Sequence, residues 1–406
     1  MCPPCSAAGR DRALPKPAWS GVVCRIDYPR GPGGDASALP LETQKTRLST
    51  SPSADPIAWP DLSRKAAFDE WLGRIASTHS LQTATLRSAS SDASFRRYFR
   101  IDGAGKSFVV MDAPPPQEDV GKFVAIDSLL EAAGLNVPQV FEQDAKHGFL
   151  LLGDLGAKLY LGALTDAVSA GDTARCNALM RDATRALIQL QTRTDATSLP
   201  PYDDALLRRE LALFPEWCVA IECGVRWTGE ELAIWQSTCD LLVHSALAQP
   251  VVPVHRDFMP RNLMVCEQGF AEGANPGILD FQDAVRGPIA YDLASLLRDA
   301  FISWEEEQEI DWAVRYWEAA RKAGLELPDD FGEFWRQVEW MGLQRHLKVL
   351  GIFCRLKHRD AKPGYSKDLP RFFNYAHKTA ARYNVLRPFS RLLEPLMGAT
   401  RVEIFQ

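Results

Sequence analysis

Five residues in one stretch of the sequence have the types and spacing of a reaction centre. His255, Arg256 and Asp257 are consecutive, Asn262 follows Asp257 by five residues, and Asp280 ends the apolar run GILD. The Asp257 carboxylate can accept a hydroxyl proton, while the amide oxygen of Asn262 and the carboxylate of Asp280 can bind a Mg²⁺ ion that also contacts phosphates. The spacing therefore predicts phosphoryl transfer from ATP, with Asp257 as the catalytic base and Asn262 and Asp280 as metal ligands.

Short strands are needed to bring these residues together. Within residues 251–283 the apolar runs VVPV, NLMV and GILD alternate with polar loops, which predicts strands and turns. Helical patterns lie on both sides: Asp172 begins one helix, and Thr228 with Glu231 forms a capping box for another. We therefore expect residues 154–406 to form a mainly helical lobe that holds the catalytic loop and the acceptor site.

A smaller lobe, over residues 61–153, is expected to bind the nucleotide. Its pattern predicts a first helix, then strands at 94–101 and 107–111, a helix at 122–133, and strands at 140–143 and 148–152. Gly134 is typical of a left-handed residue that ends a helix. The predicted fold is α+β, a bilobal protein-kinase-like arrangement with a small β-rich N-lobe and a mainly helical C-lobe.

The rest of the composition limits the class of protein. Residues 1–60 are rich in Pro, Gly, Ser and Ala without sustained periodicity, so we expect a disordered extension. A net charge of -6 provides no overall basic field, and we expect no nucleic-acid partner. No apolar run approaches the roughly 20 residues needed to span a bilayer, and the N-terminus lacks the apolar block of a signal peptide, so we expect no membrane partner and a cytoplasmic location. Nothing in the sequence indicates an obligate protein partner.

Three motifs together resemble a known family. HRDFMPRN, LDFQDA and GPIAYDLASLLRDAF are similar to the aminoglycoside phosphotransferase and choline kinase superfamily. Within it, SDASFRRYFR, VVMDAPP and QRHLKVLGIFCRL are most similar to the anomeric N-acetylmuramate and N-acetylglucosamine kinases of bacterial cell-wall recycling. The likeness covers roughly residues 65–400. It implies ATP- and Mg²⁺-dependent phosphorylation of an amino sugar, with a sugar 1-phosphate as product.

The resemblance also suggests roles for residues around the motif. It implies that Asp292 holds the catalytic loop in place and that Asp283 faces the acceptor sugar, although either could be an ordinary turn or cap residue. His255 is expected to brace the loop by hydrogen bonds. Arg345 belongs to a basic C-terminal run that could contact an anionic substrate, such as the lactyl carboxylate of N-acetylmuramate, or could form a solvated helix face.

The small lobe lacks the usual phosphate-binding residues of protein kinases. The third strand has no Lys, and no G-x-G-x-x-G precedes it. The segment 91–97 is the alternative: a turn that includes Ser94 can direct N–H groups to phosphate, and one of Arg96 and Arg97 can supply charge. Because side chains alternate along a strand, only one arginine can face the cleft, and we expect Arg97. An exposed basic strand would have the same sequence.

Two further nucleotide contacts follow from the likeness. Leu151 and Gly153 resemble the hinge whose backbone holds adenine, although a buried strand would show the same residues. For the whole protein, two other functions stay open. One is a kinase of another small alcohol, such as an aminoglycoside, choline or homoserine. The other is a kinase-like scaffold without activity.

Overall fold

The computed structural model describes residues 57–59, 61–91, 95–266 and 275–401. Its helices are α1 (Leu62–Ala76), α2 (Val120–Ala132), α3 (Tyr160–Ser169), α4 (Thr173–Arg193), α5 (Asp204–Leu213), α6 (Glu230–Leu247), α7 (Ala290–Leu297), α8 (Glu306–Lys322), α9 (Phe331–His358), α10 (Leu369–Arg382) and α11 (Arg387–Arg401). Its strands are β1 (Gln82–Ser91), β2 (Arg97–Asp102), β3 (Ser107–Asp112), β4 (Val140–Asp144), β5 (Phe149–Gly153), β6 (Val251–Val254), β7 (Leu263–Met264), β8 (Gly277–Ile278) and β9 (Val285–Pro288). A π-helix spans Phe214–Glu222, and 3₁₀ turns span Pro260–Asn262, Pro363–Asp368 and Asn384–Leu386.

An antiparallel sheet forms the small lobe, with strand order β1-β2-β3-β5-β4. Side chains alternate between its two faces, so β2 contributes to both. Phe99 and Ile101 are buried on one face, in a cluster with Phe68 of α1. Tyr98 and Arg100 lie on the other face, towards the helical lobe. This alternation decides which residues of β2 can meet a nucleotide.

Ordered structure begins before α1. Trp59 lies 5.0 Å from Phe68 and 5.9 Å from Phe99 between ring centroids, and Ile57 packs against the same cluster. Most of the predicted extension 1–60 lies outside the described residues. Where it is described, at 57–59, Ile57 and Trp59 pack against the outer face of the sheet, so the folded part begins before residue 61.

Helix α9 is the axis of the helical lobe. It is 28 residues long and buried over most of its length. At Gly351 a Cβ would lie 2.4 Å from the backbone carbon of Leu213, so glycine lets α9 approach the start of the π-helix closely. Arg298, after α7, forms buried ion pairs with Glu309 of α8 at 2.8 Å and Glu339 of α9 at 3.2 Å. These contacts hold the helices that support the catalytic loop.

Two small antiparallel pairs position the catalytic motif. Strand β6 pairs with β9, and β7 pairs with β8 in the register Leu263–Ile278 and Met264–Gly277. Asn262 directly precedes β7, and Asp280 follows β8 by two residues. The pairing of β7 with β8 therefore brings Asn262 and Asp280 to the same end of the hairpin.

Most predicted strands are present, but β1 was not predicted. Its sequence, QTATLRSASS, has no apolar alternation, because β1 is an edge strand that pairs only with β2 in the described sheet. Its existence depends on that pairing rather than on its own pattern. Among the described residues, no helix combines the length and the apolar character needed to cross a membrane.

Candidate active site

The Asp292 side chain fixes the backbone of the catalytic loop by hydrogen bonds. Its fully buried carboxylate accepts hydrogen bonds from the backbone N–H groups of His255, at 2.6 Å, and Arg256, at 3.0 Å. Burial raises the pKa of Asp292 to about 7, because desolvation outweighs the two N–H donors. Asp292 therefore fixes the backbone of the loop from a position shielded from solvent.

The His255 imidazole braces the loop from inside. Its Nε2 lies 3.0 Å from the carbonyl oxygen of Leu279, and its Nδ1 accepts the N–H of Asp257 at 3.3 Å. These contacts fit a neutral ring with the proton on Nε2, and burial lowers the pKa of His255 to about 4. His255 thus joins the end of β8 to Asp257.

Arg256 connects the loop to α5 and α9. Its backbone has a left-handed φ of 75°, and its Nη2 lies 2.5 Å from Oε1 of Glu210. The same carboxylate oxygen is 2.9 Å from Nζ of Lys348. Burial works to lower the pKa of Arg256, but the nearby Glu210 carboxylate outweighs it and raises that pKa. A buried, charge-compensated group therefore anchors the residue next to Asp257.

Asn262 and Asp280 lie side by side. The Nδ2 of Asn262 donates to the carbonyl oxygen of Asp257 at 2.9 Å and lies 3.4 Å from Oδ2 of Asp280. The backbone adopts a left-handed φ of 63° at Asp280, whose side chain is 34% exposed. The Asp257 carbonyl, the Asn262 side chain and the Asp280 carboxylate therefore lie next to one another, although eighteen residues separate Asn262 from Asp280.

These residues line a cleft between the sheet and the helical lobe. The cleft has a volume of about 620 Å³. Tyr98, Val109 and Leu152 line its N-lobe side, and Arg261 and Phe301 belong to its C-lobe side. Asp257, Asn262 and Asp280 are also exposed to it. This volume is within the usual range of small-molecule pockets in proteins.

Arg97 does not face this cleft, so the prediction for Arg97 is wrong. Its Nε donates to Oδ2 of Asp112 at 2.9 Å, and its Nη1 donates to the carbonyl oxygen of Ala58 at 3.0 Å. Its guanidinium lies 4.1 Å from the ring centroid of Trp59. The expectation that only one of the two arginines faces the cleft was correct, but the faces were assigned the wrong way round, because Arg97 shares the outer face of the sheet with Phe99.

Arg96 occupies the position expected for Arg97. Its Nε lies 3.2 Å from Oε2 of Glu118, two residues before α2, and its Nη1 lies 4.0 Å from Oδ1 of Asp280. Burial works to lower the pKa of Arg96, but the nearby phenol of Tyr98 and the Glu118 and Asp280 carboxylates outweigh it and raise that pKa. Arg96, directly before β2, therefore provides a cation beside the candidate metal ligand, and it is paired with Glu118, which precedes α2.

The other predicted nucleotide contacts have mixed outcomes. Ser94 lies outside the described residues. Leu151 is fully buried in the cluster between the sheet and α1, and β5 pairs with strands on both sides there, so the prediction for Leu151 is wrong. Gly153 lines the cleft together with Asp154 and Leu155. The C-terminal end of β5 and the residues that follow it therefore line this part of the cleft.

The two predicted acceptor residues differ in position. Asp283 lies on an exposed turn outside the residues that line the cleft, and its backbone carbonyl accepts a hydrogen bond from Arg256 at 3.4 Å. An acceptor contact at Asp283 therefore stays a prediction. Arg345 does line the cleft, but its side chain is only 4% exposed and its Nη2 lies 4.0 Å from Oδ1 of Asp257.

Sequence reasoning missed two charged residues near the site, Glu118 and Glu210, and preferred Arg97 to Arg96. Glu118 and Arg96 meet across the gap between α2 and β2, and Glu210 reaches Arg256 from α5. The missing strand-3 Lys had indicated that one of Arg96 and Arg97 supplies charge, but not which of the two. No sequence signal points to Glu210, which is 46 residues from its partner.

The architecture and the site define a class: a bilobal, kinase-like phosphotransferase. A choline kinase from Streptococcus pneumoniae has the same fold, with a TM-score of 0.53 and 12% identity over 77% of this chain and 99% of that chain. The ADP-bound aminoglycoside phosphotransferase APH(2'')-Ib has a TM-score of 0.51 and 15% identity over 76% and 98%. These likenesses confirm the predicted fold class.

The chain belongs to the phosphotransferase enzyme family, whose match covers residues 85–334. Two relatives are named N-acetylmuramate/N-acetylglucosamine kinase. The one from Pseudomonas aeruginosa is 51% identical over 313 residues, 77% of this chain and 89% of the relative. The one from Pseudomonas putida is 50% identical over 317 residues, 78% and 90%. The resemblance inferred from the motifs and the prediction of a kinase-type enzyme are confirmed.

Proposed function

We propose that the protein transfers the γ-phosphoryl group of ATP to the anomeric hydroxyl of N-acetylmuramate or N-acetylglucosamine. One observation carries this proposal: relatives about 50% identical, matched over about nine tenths of their length, bear the name of that kinase. The presence of Asp257, Asn262 and Asp280 around one cleft supports it. Because ATP is the donor, we place the reaction in the cytoplasm, where the sugar 1-phosphate would serve cell-wall recycling.

Asp257 is the proposed catalytic base. The anomeric oxygen forms a bond to the γ-phosphorus, the bond from that phosphorus to the β,γ-bridging oxygen breaks, and ADP leaves. The hydroxyl proton passes to the Asp257 carboxylate. An anomeric hydroxyl is more acidic than an ordinary sugar alcohol, so a carboxylate that orients it and accepts its proton late is sufficient.

The donor atoms fit a magnesium ion. Asn262 and Asp280 offer hard oxygen ligands, and the Nδ2 of Asn262 is already engaged, so Oδ1 is the atom left for a cation. One carboxylate, one amide oxygen and substrate phosphates suit Mg²⁺, which retains water and seldom occupies an all-protein site. When bound, the ion would neutralise the charge that develops on the phosphates.

Arg96 is the proposed phosphate contact of the N-lobe. It lies beside Asp280, and its pairing with Glu118 orients the guanidinium towards the metal ligands. The adenine ring would lie against the segment 153–156, which lines the cleft after β5. These two contacts would place the triphosphate along the floor of the cleft.

The acceptor part of the cleft argues against cationic substrates. Arg261 and Arg345 both line it, and an aminoglycoside or choline would bring a like charge to them. A scaffold without activity would have no need for Asp257, Asn262 and Asp280 together.

A turnover assay tests the proposal. We expect ATP-dependent phosphorylation of N-acetylglucosamine and N-acetylmuramate in the presence of Mg²⁺, and no reaction with their methyl glycosides, which lack the anomeric hydroxyl. Phosphorus NMR of the product should show coupling to the anomeric proton. A 6-phosphate product, turnover of a methyl glycoside, or activity confined to choline, homoserine or an aminoglycoside would refute the proposal.

A further inference from the structure

Arg261 has an unusual position in the cleft. It lies in the 3₁₀ turn Pro260–Asn262, between the proposed base Asp257 and the proposed metal ligand Asn262. Its guanidinium lies 5.0 Å from the ring centroid of Phe301, and both side chains line the cleft. The aromatic face supports the guanidinium and leaves its edge of N–H donors available.

Arg261 also differs from the other arginines of the cleft in its partners. Arg100 forms an ion pair with Asp154 at 2.5 Å. Arg345 is nearly buried, lies 4.0 Å from Asp257, and acts electrostatically on the carboxylate of Asp299. Over the described residues, Arg261 has neither an ion pair nor a hydrogen bond from its guanidinium. Among the arginines that line the cleft, it is therefore the one whose charge the described residues compensate least.

We propose that Arg261 binds the carboxylate of an acidic acetamido sugar and so sets the preference between N-acetylmuramate and neutral N-acetylglucosamine. This inference rests on the proposed function. The two sugars differ only by the lactyl ether on the C3 oxygen. This group and the reacting C1 hydroxyl are attached to the same sugar ring. Arg261 follows Asp257 by four residues on the catalytic loop and lines the same cleft, and on this basis we place the lactyl carboxylate against it when the C1 hydroxyl meets Asp257.

The physical reason is the geometry of the guanidinium. A planar guanidinium forms two parallel hydrogen bonds to a carboxylate, and stacking on Phe301 limits the orientations it can adopt. Arg345 fits this role less well, because binding a second anion there would compete with Asp257 for the same charge. We therefore assign to Arg261 the substrate contact that sequence reasoning gave to Arg345.

The test compares two sugars in two variants and a control. Steady-state kcat and KM are measured for N-acetylmuramate and N-acetylglucosamine at saturating Mg·ATP, in the wild type, Arg261→Gln and Arg261→Lys. Arg315→Gln, at an exposed position of α8 outside the cleft, is the control. In Arg261→Gln, the ratio of kcat/KM for the acidic sugar to that for the neutral sugar should fall by about 10- to 100-fold, the range for one charged hydrogen-bonded pair.

The fall should arise mainly from the KM of N-acetylmuramate. Arg261→Lys should lie between the wild type and Arg261→Gln, because it retains the charge but loses the paired donors. An independent measurement uses the wild type alone: converting the lactyl carboxylate to its carboxamide should lower kcat/KM by a similar factor, and Arg261→Gln should no longer distinguish acid from amide.

Each alternative has its own outcome. If Arg261 contacts the transferred phosphate, both sugars lose kcat/KM equally in Arg261→Gln, which overturns the inference. An unchanged ratio, or equal wild-type turnover of acid and amide, also overturns it, and the amide comparison decides the matter if a variant does not fold. A wild type that phosphorylates neither sugar refutes the proposed function, and the inference falls with it.

Discussion

Arg96 and Arg97 are adjacent, but replacing each by methionine, which removes the charge and keeps an unbranched apolar side chain, should have different effects. Arg97 belongs to the outer face of the sheet, with Asp112, Ala58 and Trp59 as its partners. Arg96 lies beside Glu118 and Asp280. Arg97→Met should therefore lower stability, and Arg96→Met should weaken ATP binding.

The magnitude for Arg97 follows from its contacts. Loss of the hydrogen-bonded pair with the fully buried Asp112 costs about 1.5–3 kcal/mol. Loss of the stacking on Trp59 adds about 0.5–1 kcal/mol. The larger penalty of an unpaired buried charge is avoided, because Arg64 still donates to Asp112 at 2.8 Å. We expect the free energy of unfolding to fall by about 2–4 kcal/mol.

For Arg96→Met, the expected effect is on the affinity for Mg·ATP. Loss of one charge-assisted contact to phosphate, about 1.5–3 kcal/mol, should raise the Kd of Mg·ATP by about 10- to 150-fold. Its effect on stability should be smaller than that of Arg97→Met, because Glu118, unlike the fully buried Asp112, keeps part of its surface in contact with solvent.

Urea unfolding and calorimetric titration with Mg·ATP measure both quantities in both variants. The double variant should show the two effects added, because the side chains lie on opposite faces of the sheet. The reasoning is refuted if Arg97→Met weakens ATP binding more than Arg96→Met does, or if Arg96→Met is the less stable protein.

Three further predictions concern the catalytic loop. Asp257→Asn should retain the fold and ATP binding but lower kcat by about 10²- to 10⁴-fold, and a loss of less than about threefold would exclude Asp257 as the base. Asp280→Ala should abolish Mg²⁺-dependent nucleotide binding, since Asn262 alone cannot supply a charged ligand; unchanged affinity by calorimetry would contradict this. For Asp292 the pKa is raised to about 7 in the folded state, above its ordinary value of 3.8. The stability that Asp292 contributes is therefore complete below pH 3.8 and is lost as the pH rises through about 7. The unfolding free energy of the wild type relative to Asp292→Asn should fall over that range. A constant difference would show that Asp292 is ionised throughout.

The sequence was sufficient where the determinants are local. The spacing of Asp257, Asn262 and Asp280 predicted a phosphoryl-transfer site, because one loop and one hairpin position all three residues and the hairpin pairing depends on short apolar runs. The same local rules predicted strands β2 to β5, the helix that follows β3, and a helical second lobe. The motifs were also specific enough to indicate the family.

The tertiary structure decided what depends on faces and on distant partners. The alternation of side chains at the start of β2 required Arg96 and Arg97 to point in opposite directions. Which of the two faces the cleft depended on the packing of β2 against α1 and on Trp59, in a segment expected to be disordered. Leu151 has the residue type of a hinge, yet strand pairing on both sides removes its backbone from the cleft.

The sequence also did not predict which charged residues pair with each other. The partner that anchors Arg256 is Glu210, 46 residues away on another helix, and no periodicity or spacing connects the two. Arg261 and Arg345 are both arginines of the cleft, and only their neighbours distinguish them: Arg345 lies against Asp257, while Arg261 rests on Phe301. Residue types thus determined which chemistry the chain can perform, and packing determined which charges remain available to a substrate, because electrostatic compensation depends on distances that only the folded chain creates.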